Sequence, residues 1–100
     1  MKNYVFVYYS NATTPPTDES MAAWNVWMKG IADSIVDGGN PITRAKSVVK
    51  DGATTPGHDD VIGYSVFKAE SLEAAVALTE GCPLADADGC EVRVYETAPM

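Results

Sequence analysis

The chain has 100 residues, 46% apolar and 21% charged, which suits one soluble domain over residues 1–100 with a single modest core. Seven basic against fourteen acidic residues leave a net charge of −7, which repels phosphate backbones and anionic headgroups and argues against nucleic acid or membrane surfaces as partners. No apolar run nears the roughly 20 residues of a membrane span, the start from Met1 to Tyr9 lacks a signal-peptide pattern, and Cys82 and Cys90 make neither a disulfide framework nor a four-ligand zinc site; a cytoplasmic protein without metal or cofactor is expected.

Tyr4 to Tyr9 is almost wholly β-branched or aromatic and reads as a strand, closed by polar Ser10-Asn11. Both of its faces, Tyr4/Phe6/Tyr8 and Val5/Val7/Tyr9, are apolar, so burial on both sides is expected. After a Pro-bearing loop, Thr17 is a good N-cap with Asp18 and Glu19 in the first helical turn. Met21, Trp24, Met28, Ile31 and Ile35 then recur at spacings of 3, 4, 3 and 4, the helical period, with Val26 and Trp27 broadening the stripe. Gly38-Gly39-Asn40-Pro41 supplies the stop.

Pro41 to Lys50 reads as a second strand, whose basic Arg44, Lys46 and Lys50 suit a protected sheet edge better than an anion site. A turn-rich connection from Asp51 to Asp60 precedes a third strand, Val61 to Lys68, in which Gly63 marks a bulge or a close backbone approach. Ser71 caps a second helix containing Leu72, Ala75, Val76 and Leu78, stopped by Gly81-Cys82-Pro83. Glu91 to Glu96 is the last strand. The order βαββαβ is that of the ferredoxin-like α+β fold, with a four-stranded antiparallel sheet.

Two helices cover one face of such a sheet, yet the first and third strands offer little polar surface on either side. A homodimer packing sheet face against sheet face is therefore expected, since a twofold needs only a self-complementary patch.

Candidate chemistry is sparse. Tyr8, Trp24, Trp27 and Tyr64 could line a small-molecule pocket between helix and sheet, with the tyrosine hydroxyls as polar handles, although aromatics at helical spacing also simply fill cores. His58, beside Asp59 and Asp60, is the one place where an imidazole meets carboxylates, and a polar turn uses the same residues. Cys82 and Cys90 flank an acidic loop, a poor setting for a nucleophilic thiolate. No Gly-rich phosphate loop, Cys-x-x-Cys pair or Gly-x-Ser-x-Gly elbow is present.

Over nearly its whole length the chain resembles the YCII-related, DGPF-type family of small bacterial proteins. The likeness runs through the aromatic opening strand, Met21-Ala22-Ala23-Trp24-Asn25-Val26-Trp27, Val36-Asp37-Gly38-Gly39-Asn40-Pro41, Gly63-Tyr64-Ser65-Val66, Glu70-Ser71-Leu72-Glu73-Ala74-Ala75 and the closing Glu91-Val92-Arg93-Val94-Tyr95-Glu96. The name-giving Asp-Gly-Pro-Phe stands here as Asp51-Gly52-Ala53-Thr54, and the first helix carries Trp24 where some members have a histidine proposed for catalysis. The resemblance implies a dimeric α+β barrel and, with that histidine missing, a small-molecule-binding or accessory homodimer. The alternative is a cofactor-free enzyme of isomerase, dehydrochlorinase or monooxygenase type.

Overall fold

A computed structural model describes residues 1–11, 17–55, 60–85 and 87–98. Its elements in chain order are β1 (Lys2–Ser10), α1 (Asp18–Gly30), a short 3₁₀ turn (Ala32–Ser34), β2 (Ile35–Asp37), β3 (Ser47–Val49), β4 (Gly52–Thr54), β5 (Val61–Ala69), α2 (Leu72–Ala77) and β6 (Cys90–Glu96). Four strands form one antiparallel sheet in the order β2-β5-β1-β6, while β3 and β4 pair with each other in a separate hairpin. The expected α+β, ferredoxin-like arrangement is present.

The most apolar strand takes the centre. Every β1 residue from Tyr4 to Tyr9 has a neighbour on both sides, β5 and β6, so its backbone groups meet ladder partners where water is excluded. Tyr4, Phe6 and Tyr8 point to the helix-covered face, joined there by Ser65, Phe67 and Ala69 of β5, Trp27 of α1, Ala75 of α2, and Cys82. Phe6 and Phe67 stack at 4.5 Å, and Trp27 meets Phe67 at 5.8 Å. Each of these rings contributes about 2–3 kcal/mol by leaving water.

Both helices start as the sequence dictates. The Thr17 hydroxyl accepts from Ser20 N at 3.1 Å, and the Ser20 hydroxyl accepts from Thr17 N at 3.0 Å, which satisfies two otherwise orphaned donors reciprocally. Ser71 accepts from Ala74 N in the same way at the start of α2.

Two expectations fail between the first helix and the third strand. Helix α1 ends at Gly30, and Ile35, placed last on the helical stripe, instead opens β2 opposite Phe67. Its spacing of four from Ile31 mimicked one more turn; a glycine at the helix end and the β-branched pair Ile35-Val36 favour leaving it. The second strand of the sheet is therefore Ile35–Asp37, and Pro41 to Lys50 is not its edge. Pro41 bridges to Gly63 and the Ile42 N–H donates to the Ile62 carbonyl at 2.9 Å, and Arg44, Lys46 and Lys50 lie on or beside the hairpin. Val26, read as widening the buried stripe, is 72% exposed.

The face away from the helices carries Val5, Val7 and Tyr9 of β1, with Tyr64 and Val66 of β5 beside them, all half-buried. Toward β6 the same face becomes polar, with Arg93 stacked over the Tyr9 ring at 4.5 Å and paired to Glu91 at 3.1 Å. It is apolar in the middle and charged at one side.

Candidate functional site

A cleft of about 610 Å³ opens between α1, the open end of the β1–β5 pair and the loop before β6. Helix α1 contributes Met21, Trp24 and Met28 from one stripe; the sheet contributes Tyr8, Gly63 and Ser65; residues 38–41 form a wall; Pro83, Leu84, Ala87 and Cys90 close the far side. That size suits a small organic molecule.

The wall depends on two glycines. Gly39 adopts φ +79°, and a Cβ there would collide with the Tyr64 carbonyl. Gly63 lies against the same segment, where a Cβ would sit 3.3 Å from the Asn40 carbonyl oxygen and 3.6 Å from the Tyr8 ring. Here β1 and β5 also slip register, Tyr8 facing Gly63 but Tyr9 facing Val61. The bulge and the close backbone approach expected at Gly63 are both present.

The polar groups on the floor are tied together. Tyr8 donates its hydroxyl to Ser65 Oγ at 2.9 Å, and Ser65 donates to the Gly38 carbonyl at 2.8 Å. Burial pushes the Tyr8 hydroxyl well above the ordinary tyrosine range, only partly offset by the Ser65 bond, so it remains a neutral donor at physiological pH. At the rim, Asn40 Nδ2 donates to the Tyr64 hydroxyl at 3.3 Å, and Cys90 Sγ lies 3.3 Å from Ser10 Oγ. Trp24 meets Tyr8 edge-on at 5.0 Å. The described lining thus offers aromatic and thioether surface with hydroxyls, an amide and a thiol. It includes no carboxylate, imidazole, ammonium or guanidinium group.

Of the candidates, Tyr8 and Trp24 meet in this cleft, and Tyr64 borders it from the Val7 side of β5, its hydroxyl held by Asn40. Trp27 does not line it. Its ring packs beneath Trp24 at 5.5 Å, and Nε1 donates to the Leu78 carbonyl at 2.9 Å, which anchors α1 to the end of α2. His58 and Asp59 lie outside the described residues. Residue-by-residue reading missed Ser65 and the wall of residues 38–41. A lone serine on the buried side of an apolar strand, and a Gly-Gly pair ahead of Asn-Pro, were the available signals.

A second depression of about 520 Å³ lies at the β1–β6 end of the uncovered face, lined by Tyr9, Asn11, Asp60, Gly89, Cys90, Glu91 and Arg93. Arg93 and Glu91 are paired there at 3.1 Å. Glu91, then Tyr95, pushes the Arg93 guanidinium up, and the bond between Tyr9 and Tyr95 holds the Tyr95 hydroxyl below the usual tyrosine range. Among the described residues, no cluster of three or more His, Cys, Asp or Glu side chains could hold a metal ion, and no helix is long and apolar enough to cross a membrane.

Comparison with known proteins gives one family: a model described as YCII-related domain matches residues 1–98. No curated protein and no solved structure gives a match.

Proposed function

The chain belongs to the YCII-related family, and from that premise we propose that it is a homodimer that binds a neutral, largely apolar small molecule in the cleft between α1 and the sheet. The cleft lining carries this reading: Trp24, Met21, Met28 and Leu84 supply apolar surface, and the Tyr8–Ser65–Gly38 chain holds a neutral floor. A cleft whose described lining carries no fixed charge favours an uncharged guest, because an ion entering it would lose part of its hydration with no counter-charge among those residues to replace it. Proton-transfer catalysis needs an ionisable group matched to the working pH and within reach of the guest. The Tyr8 hydroxyl, pushed up by burial, is a poor match, which favours binding over a cofactor-free enzyme.

Dimerisation through the uncovered sheet face is part of the same proposal. Val5, Val7, Tyr64 and Val66 form a half-buried apolar centre there that no element among the described residues covers, and a second copy offers an equal patch by symmetry.

Saturation-transfer NMR with indole and 2-naphthol, and with benzoate as a charged counterpart, tests the cleft. The neutral probes should bind the wild type at least tenfold more tightly than benzoate, and Trp24→Ala should weaken them about tenfold. Equal binding of benzoate, or neutral probes indifferent to Trp24→Ala, would refute the reading.

A further inference from the structure

Residues 43–55 form an arm, anchored to β5 through Pro41 and Ile42. Every residue in this span is exposed, and among the described residues the β3–β4 hairpin pairs only within itself. Two three-residue strands without a second layer are marginal in water. Val48 and Val49 nevertheless show 82% and 53% of their surface. Charge is sorted in the same way: the arm holds three of the seven basic residues and one of the fourteen acidic ones, so the rest of the chain carries four against thirteen.

A surface of matching character lies on α2 and the turn after it. Leu72, Glu73 and Val76 are exposed together on α2, Val76 standing four residues after Leu72 and three after Glu73, and Glu80 lies in the turn that follows, while Ala75 is buried. Leu72 and Val76 are 41% and 51% exposed, and Glu73 and Glu80 are exposed beside them. The helix packs on β5 and β6, whereas the arm leaves the sheet at the opposite edge, beyond β2.

We propose that the arm of one chain docks on the α2 surface of a second copy, Val48 against Leu72 and Val76, and Lys46 and Lys50, which alternate onto the same side of the arm as Val48, against Glu73 and Glu80. A twofold axis repeats the contact, so each dimer holds two. This rests on the dimer proposed above. Both halves of the match belong to the same chain, which is what a reciprocal contact requires. The net charge of −7 opposes nucleic acid or an anionic membrane as the arm's partner.

The test uses unlabelled and ¹⁵N-labelled full chains mixed through a urea unfolding and refolding cycle, then treated with a carbodiimide that joins amines to nearby carboxylates. The expected product is an amide from Lys46 or Lys50 to Glu73 or Glu80 that joins one labelled to one unlabelled chain. The paired Lys46→Glu and Lys50→Glu changes should weaken dimerisation about tenfold, and mixing that variant with one carrying Glu73→Lys and Glu80→Lys should restore it. Links within single chains only would place the arm on its own body and overturn the proposal. Links to other carboxylates, or none, would overturn it equally. Light scattering on the same samples separates the two proposals: a two-chain mass without the link removes the arm and leaves the dimer, whereas a one-chain mass removes both.

Discussion

Tyr8 does two jobs with one side chain. Its ring fills the core edge-on to Trp24 and Trp27, and its hydroxyl begins the chain through Ser65 to the Gly38 carbonyl. Deleting that hydroxyl removes one buried bond and leaves Ser65 without its donor, so Tyr8→Phe should cost about 1–2 kcal/mol in urea unfolding. The hydroxyl also sets an alkaline limit. Its pKa in the folded chain lies above the unfolded value near 10, so the folded state retains a proton that the unfolded state releases. Stability is therefore full below about pH 10 and declines as pH rises beyond it. Tyr4, pushed up by burial and then by the Glu96 carboxylate, acts in the same direction. Urea midpoints measured from pH 8 to 11 should fall above pH 10 for the wild type and less steeply for Tyr8→Phe; equal slopes would show that Tyr8 does not titrate as its surroundings require. Tyr8 and Trp24 were legible as cleft residues because an aromatic on the apolar side of a strand faces an aromatic on a helix stripe. Ser65 was not, since a single hydroxyl in a strand says nothing of which carbonyl it will reach.

At the scale of elements, the short strand β2 is held as much by its exit as by its ladder. After Asp37 the chain turns, with the Asp37 carboxylate accepting from Gly39 N at 2.9 Å, and passes against the Tyr64 carbonyl at Gly39. A methyl group at Gly39 meets a positive φ and a backbone carbonyl together, neither of which a side-chain rotation can relieve. Gly39→Ala should destabilise the chain by about 3 kcal/mol or more and expose the β2–β5 pairing to hydrogen exchange. Gly38→Ala, where a Cβ would meet open space, should be nearly neutral, and similar losses at both positions would refute the close-approach account. The same region marks where sequence patterns stopped being informative. Helix α1, β1, β5 and α2 were readable because caps, period and composition agree along each. Strand β2 has three residues, too few to show a period of two, and its first residue continued the helical spacing by coincidence. The alternating basic residues from Arg44 to Lys50 do mark a partly extended segment, but alternation cannot tell a strand in the main sheet from a hairpin beyond it.

For the whole molecule, the shape is a slab, 43 × 39 × 19 Å, thin because one layer of helices covers one side of a single sheet. The proposed dimer adds a second slab against the bare side. Light scattering should then give twice the 10.7 kDa chain mass. Val7→Lys, which sets an ammonium group between Tyr64 and Arg93 at the centre of that side, should return one-chain mass while leaving far-ultraviolet circular dichroism unchanged; a dimer undisturbed by it would place the interface elsewhere. Sheet order has a further consequence, felt while the chain is being made. The central strand β1 is synthesised first, but its neighbours span residues 61–69 and 90–96. At about 5–20 residues per second, the greasiest segment of the protein waits several seconds on the ribosome before either flank exists. Contacts that distant in sequence also close slowly. The nascent chain passes through that interval with Tyr4 to Tyr9 lacking both ladder neighbours.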